Sequence, residues 1–224
     1  MSASRSAIVR DIEDAGVIAV IRLFDGAQLR AIADALIEGG VRALEVTMTV
    51  PRAASLIEEL ASSLPPGVLI GAGTVLDPQT AADVIRAGAR FVISPVFRRT
   101  LIETCHRHDV PMMPGCFTPT EILDAWEAGA DLVKVFPATA LGPGYFKDIR
   151  GPLPHVRLVP TGGVTRDNAG DWIRAGAVAI GAGTALVDRT AVDERRFDAI
   201  TANARHFVSV VQHARARGRA TVSA

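Results

Sequence analysis

Two charged residues sit where the sequence is otherwise apolar. Lys134 lies inside Leu132-Val133-Lys134-Val135-Phe136, and Glu45 lies inside Leu44-Glu45-Val46-Thr47. The lysine stands out further because 22 of the 24 basic residues are arginine, Lys134 and Lys147 being the only lysines. Arginine stays protonated at any ordinary pH, whereas lysine can lose its proton and act as a nucleophile. Burying an unpaired ammonium is costly, so Lys134 is expected to be paired, neutral, or both. Desolvation lowers the lysine pKa and frees the amine to attack a carbonyl, while a nearby Glu45 carboxylate raises it again. Two readings are open on these residues alone. One is covalent catalysis by the amine with the carboxylate moving protons; the other is a buried ion pair that only fixes strand register.

A second constellation is rich in glycine. Thr161-Gly162-Gly163 and Gly181-Ala182-Gly183-Thr184 each close an apolar run. Glycine lets backbone N–H groups approach an anion closely, and two such loops side by side suit a phosphate. Tight turns without a ligand are the alternative. Four further positions are weaker candidates. Arg22 ends an apolar run and suits a carboxylate, Thr74 offers a hydroxyl, and Pro95 and Phe136 shape a pocket wall, although each also serves as ordinary surface or packing. The five histidines fall away from these run ends, and His106 and His108 do not share a helix face, so no metal site is expected. Cys116 reads as a small packed thiol.

Residues of this kind need a scaffold that presents the ends of many strands together. Apolar runs at 17–22, 43–48, 69–75, 91–95, 111–116, 132–137, 157–163 and 177–184 are continuous rather than alternating, as parallel strands covered on both faces are. Segments with helical spacing lie between them, including 27–38, 52–63, 80–87, 98–108 and 120–128. Glu38-Gly39-Gly40-Val41, Arg86-Ala87-Gly88-Ala89, Glu127-Ala128-Gly129-Ala130 and Arg174-Ala175-Gly176-Ala177 repeat one pattern, a glycine closing a helix before a strand. Eight strand–helix units in 224 residues predict a single (β/α)8 barrel domain, with frayed termini near residues 1–7 and 215–224. An open dinucleotide-binding sheet is disfavoured because GxGxxG is absent. In a barrel the working residues stand at the C-terminal strand ends, and the last two loops commonly hold phosphate.

Composition narrows the classes. The 24 basic residues balance 24 acidic ones, which gives no pull toward nucleic acid or anionic lipid. Cys105 and Cys116 form no CxxC pair and suggest no disulfide framework. With 49% hydrophobic residues but no run of about 18, and no apolar leader in residues 1–10, the expectation is a cytoplasmic protein without membrane spans.

The combined motifs resemble the bacterial 2-keto-3-deoxy-6-phosphogluconate (KDPG) and 4-hydroxy-2-oxoglutarate aldolases. The resemblance runs from residue 17 to residue 187 and is carried by Gly40-Val41-Arg42-Ala43-Leu44-Glu45-Val46-Thr47, Gly71-Ala72-Gly73-Thr74-Val75, Ile93-Ser94-Pro95, Pro114-Gly115, Lys134-Val135-Phe136-Pro137-Ala138 and Pro160-Thr161-Gly162-Gly163-Val164. It implies a class I aldolase without cofactor, in which Lys134 forms a Schiff base and Glu45 transfers protons. It also implies phosphate loops at Thr161, Gly162, Gly163, Gly183 and Thr184, and a homotrimer. The implied substrates are a 2-keto-3-deoxy-6-phospho sugar acid, cleaved to pyruvate and glyceraldehyde 3-phosphate, and 4-hydroxy-2-oxoglutarate, cleaved to pyruvate and glyoxylate. The chain departs from the resemblance at Thr49, where phosphogluconate-type members carry Arg and phosphogalactonate-type members carry Asn. Ala140-Leu141-Gly142-Pro143-Gly144-Tyr145 is closer to the galactonate branch, and Pro160-Thr161-Gly162-Gly163 to the gluconate branch. With no Arg at 49, Arg22 assisted by Thr74 is expected to hold the substrate carboxylate. Two other functions fit a phosphate-binding barrel: an isomerase or epimerase using Glu45 as base, and a catalytically silent metabolite sensor.

Overall fold

The computed structural model describes residues 4–222. Strands β1 (Val17–Ile21), β2 (Ala43–Thr47), β3 (Leu69–Gly73), β4 (Val92–Ile93) and β5 (Met112–Met113) pair in parallel, and β9 (Ile180–Ala182) joins on the far side of β1. Strands β6 (Gly115–Cys116), β7 (Val133–Val135) and β8 (Leu158–Pro160) form a second parallel group. Pro114, which has no N–H to offer a ladder, separates β5 from β6, so the two are halves of one stave. A bridge between Thr161 and Gly181 ties β8 to β9 and closes the circle. The result is the eight-stave barrel expected from the sequence.

The helices alternate with the strands: α2 (Leu29–Glu38), α3 (Ala53–Ser63), α4 (Pro78–Arg86), α5 (Arg99–Arg107), α6 (Pro119–Glu127), α7 (Gly142–Arg150), α8 (Ala169–Arg174) and α9 (Arg189–Asp193). Their starts are written locally. Asp77 accepts from Thr80 N at α4, and Thr118 and Glu121 form a reciprocal capping box at α6, each followed by proline in the first turn. Gly40, Gly88, Gly129 and Gly176 all have φ between 94° and 103°, which accounts for the repeated glycine after each helix.

Side chains alternate across each strand. Ala19, Leu44, Val46, Ile70, Ala72, Val92, Val133 and Val135 face the helices in the larger apolar layer. Ile18, Ala43, Phe91, Ile93, Met113, Leu132, Val159 and Ala179 fill the barrel interior. Helix α1 (Arg5–Ala15) packs Ile8, Val9 and Ile12 onto that inner cluster at the N-terminal ends of the staves.

Two expectations about the ends are corrected. Residues 5–7 are helical rather than frayed, because Ser4 caps α1 and three of its apolar side chains are buried. Helix α10 (Phe197–Val222) continues through residue 215, whose guanidinium donates to the carbonyls of Glu13, Asp14 and Val178. Residues 1–3 and 223–224, which fell within the expected fraying, lie outside the described residues. The strands are also shorter than expected at their C-terminal ends: Phe136, Gly162, Gly163, Gly183 and Thr184 stand in loops beyond them. No helix among the described residues is long and apolar enough to cross a membrane.

Candidate active site

Glu45 and Lys134 enter the barrel from strands that are not neighbours. Glu45 is in register with Val20 of β1 and Gly71 of β3, and Lys134 with Gly115 of β6 and Val159 of β8. Both are buried, Glu45 at 1% and Lys134 at 5% exposure. They form no hydrogen bond or ion pair with each other among the described residues, yet each feels the other's charge. Burial pushes the Glu45 carboxyl up from its ordinary value, opposed by the positive charges of Lys134 and Arg22. Burial likewise pushes Lys134 down, opposed by Glu45 and reinforced by Arg22. Desolvation thus moves the pair toward a neutral acid and a neutral amine, which are the forms a proton donor and a nucleophile require.

Space around the pair is made by glycine and by the Phe136 ring. A Cβ on Gly71 would lie 2.3 Å from the Phe91 ring, so that barrel layer is filled by the aromatic instead. The Lys134 Nζ lies 4.9 Å from the centroid of the half-buried Phe136 ring, within cation–π reach. Glu45 Oε1 is buried without a hydrogen-bond partner among the described residues. An orphaned buried oxygen implies a water or a ligand hydroxyl in the working state.

A cavity of about 180 Å³ opens against Phe136, the ring next to Lys134 Nζ, although neither Lys134 nor Glu45 lines it. Arg22, Phe136, Thr161, Gly162, Gly163, Gly183 and Thr184 line it, so seven of the expected site residues converge there, with Val20, Val164, Gly181 and Val187 completing the wall. Gly162 and Gly163 have φ of 86° and 73°, and a Cβ on Gly163 would fall 2.7 Å from Thr139 Cα. Only glycine fits that turn and that approach. None of the described residues accepts from the N–H of Gly163 or Thr184, which leaves those donors for a ligand. Arg22 is exposed and makes no hydrogen bond or ion pair among the described residues.

The remaining expected residues stand apart from this cavity. Thr74 follows β3 in the left-handed region, at φ 59°, an uncommon conformation for a β-branched residue and one that clusters at functional sites. Pro95 is half-buried, and its carbonyl fills the place where a Gly115 side chain would go. Neither lines the 180 Å³ cavity. Cys116 donates from Sγ to Glu121 O at 3.3 Å, and burial holds its thiol up at about 12, as a packed thiol should be.

Three contributors escaped the sequence reading. Asn168 Nδ2 donates to Gly163 O at 2.8 Å while its Oδ1 accepts from Thr165 N at 2.8 Å, bracing the glycine turn. Thr139 packs against that turn, and Gly73 clears room for Glu45. The Thr165-Arg166-Asp167-Asn168 spacing, a familiar side-chain turn pattern, was the available signal for Asn168. No group of three or more metal-ligating side chains occurs among the described residues.

A model of the aldolase family described as KDPG and KHG aldolase matches residues 8–203. The KHG/KDPG aldolase of Escherichia coli is 38% identical over 178 residues, covering 79% of this chain and 83% of that protein. The 2-dehydro-3-deoxy-6-phosphogalactonate aldolase of Escherichia coli is 33% identical over 188 residues, covering 81% of this chain and 92% of that protein. Among solved structures, a KDPG aldolase from Legionella pneumophila, with pyruvate captured as a covalent carbinolamine intermediate, superposes with a TM-score of 0.82. It is 33% identical, and the match covers 88% of this chain and 96% of that one.

Proposed function

Because this chain belongs to the KDPG and KHG aldolase family, we propose that it is a Schiff-base aldolase whose nucleophile is Lys134 and whose proton carrier is Glu45. Its substrate is a 2-keto-3-deoxy-6-phospho sugar acid, and its products are pyruvate and glyceraldehyde 3-phosphate. 4-Hydroxy-2-oxoglutarate, cleaved to pyruvate and glyoxylate, is a second substrate of the same chemistry.

The amine of Lys134 adds to the C2 ketone, and Glu45 gives its proton to the departing hydroxyl, so that loss of water leaves a protonated imine and the Glu45 carboxylate. That imine draws electrons from the C3–C4 bond as the C4 hydroxyl loses its proton to Glu45 through a water. The bond breaks, the aldehyde departs, and an enamine remains on Lys134. Glu45 returns the proton to C3, and water hydrolyses the imine to release pyruvate. Arg22 holds the substrate carboxylate, Thr74 assists it, and Pro95 and Phe136 form the walls. The N–H groups of Gly163 and Thr184 hold the phosphate, with Thr161, Gly162 and Gly183 shaping the loops. The 180 Å³ cavity is smaller than a whole small-molecule site, so it takes the phosphate end while the keto acid lies over Lys134, and Arg22, on the cavity wall but within charge range of Glu45 and Lys134, stands between the two. The chain assembles as a homotrimer, as its resemblance to the family implies.

The observation that carries this reading is the buried Lys134–Glu45 pair, both members shifted toward neutrality, beside a cavity with free backbone donors. An isomerase or a silent sensor has no use for a buried lysine whose pKa burial pushes down toward the nucleophilic form. The test is incubation with pyruvate and borohydride followed by peptide mass spectrometry. A pyruvate-derived adduct on Lys134 is expected; a wild-type protein that acquires none ends the Schiff-base reading.

A further inference from the structure

Two hydroxyls form a chain at the C-terminal end of β2. Thr47 is buried, and its Oγ1 donates to Ile21 O at 3.3 Å. The same Oγ1 lies 2.7 Å from Oγ1 of Thr49, which is exposed. A hydroxyl has one proton to give and two lone pairs to receive. With the Thr47 proton on Ile21 O, the short contact requires Thr49 to be the donor. The reverse assignment would turn the Thr47 proton onto Thr49 and abandon the bond to Ile21 O, making one bond where two are available. In a buried setting the two-bond arrangement wins, and each bond polarises the next.

The Thr49 proton is therefore committed to the barrel wall, and only its lone pairs are left for the mouth. In that state the residue cannot donate to a carboxylate or a phosphate; it can only accept. Thr47 stands on the same strand face as Glu45, two residues and about 7 Å nearer the mouth, so the chain of hydroxyls lies above the reacting carbons. The pyruvate half of the substrate, C1 to C3, carries no hydroxyl. The C4 hydroxyl is engaged by Glu45. The donor left for a fixed acceptor at the rim is the C5 hydroxyl.

We propose that Thr49 is a specificity-determining residue that accepts a hydrogen bond from the C5 hydroxyl, with Thr47 as the positioning residue that fixes its orientation; this deepens the aldolase reading and rests on it. The test runs in the condensation direction with pyruvate and two aldehydes. D-Glyceraldehyde 3-phosphate carries the hydroxyl that becomes C5–OH, and 3-phosphooxypropanal has the same length without it. Thr49→Val is expected to lower kcat/KM for the first by about 10-fold and to leave the second within about twofold, with Thr49→Ser keeping the wild-type preference. Thr47→Val is expected to give an intermediate preference, because the Thr49 hydroxyl is then free to turn; a preference equal to wild type would remove the positioning role. The ratio between aldehydes is insensitive to partial misfolding, which lowers both rates alike. Equal effects of Thr49→Val on both aldehydes, or none on either, overturn the proposal. Borohydride trapping separates the two failures. A trapped pyruvate with an unaltered aldehyde ratio removes only the role of Thr49, whereas no trapping and no condensation by the wild type removes the aldolase reading and this proposal with it.

Discussion

The carboxylate of Glu45 occupies the volume that a side chain at position 73 would need: a Cβ built on Gly73 would lie 1.8 Å from Glu45 Oε1. The two residues belong to adjacent strands, and the missing Cβ of one sets where the acid of the other rests. Gly73→Ala is expected to displace Glu45 and slow aldol cleavage by about 10²–10⁴, the usual range for lost acid–base catalysis. Pyruvate trapping on Lys134 should survive, since the amine does not move. A Gly73→Ala protein that cleaves at the wild-type rate would show that Glu45 works from somewhere else.

Proton balance at Lys134 is open to direct titration. Burial holds its pKa below the ordinary 10.5, Glu45 raises it and Arg22 lowers it. The rate of pyruvate adduct formation should therefore rise with pH and level off below pH 10.5. Glu45→Gln removes the raising charge, so the midpoint should fall. Arg22→Gln removes a lowering charge and should raise the midpoint, by a smaller step because Arg22 is exposed and screened by solvent. Midpoints that move together, or in the opposite sense, would contradict the charge arrangement. Turnover in Glu45→Gln should drop by about 10²–10⁴ at every pH.

The glycine turn at 162–163 discriminates phosphorylated substrates from pyruvate alone. A side chain at Gly163 would meet Thr139 Cα at 2.7 Å and would also require a backbone φ of 73°. Gly163→Val should raise KM for the phosphorylated substrate by more than about 10-fold while pyruvate binding changes little. Equal losses for both ligands in steady-state assays would mean that the loop supports the fold rather than the phosphate.

Arg22 carries the carboxylate in the proposed site, and its planar fork has no equivalent in lysine. Arg22→Lys should raise KM for pyruvate by about 10-fold, measured as exchange of the pyruvate methyl protons. An unchanged KM would assign the carboxylate to other donors. Because no second fixed cation stands at position 49, selection at C4 rests on hydrogen bonds worth about 1–3 kcal/mol, and the gluconate and galactonate 6-phospho epimers should be cleaved with efficiencies within about two orders of magnitude. Retro-aldol assays on the pure epimers read this directly, and a ratio above about 10⁴ would reveal a stringent contact elsewhere.

The parts legible in the sequence were those written in short, self-contained signals. Eight apolar runs announced eight staves because parallel strands are buried on both sides, and each helix-ending glycine carries a positive φ that leaves a visible residue. Lys134 and Glu45 were readable because a charge inside an apolar strand has few structural excuses. What stayed hidden depended on contacts across the chain. Helix α1 has only Ile8, Val9 and Ile12 as its buried stripe, a pattern too short to distinguish from a polar leader until the barrel floor it covers is known. Arg215 looked like part of a loose basic tail, and its three carbonyl partners come from α1 and from the strand approach at Val178. Gly73 was visible only as one letter of the Gly71-Ala72-Gly73-Thr74-Val75 marker, because its purpose, making room for Glu45, lies in the neighbouring strand.

Helix α1 closes the bottom of the barrel with three aliphatic side chains, which leaves the proposed reaction a well with one door. In such a well, depth sets the order of departure. The aldehyde is formed nearer the rim and unattached, while the three-carbon remnant is tethered to Lys134 beneath it. The aldehyde must therefore clear the shaft before pyruvate, once freed from Lys134 beneath it, can leave. Run in reverse, the keto acid must enter first and the aldehyde second, so a saturating aldehyde becomes an obstruction that delays the smaller molecule it is meant to meet.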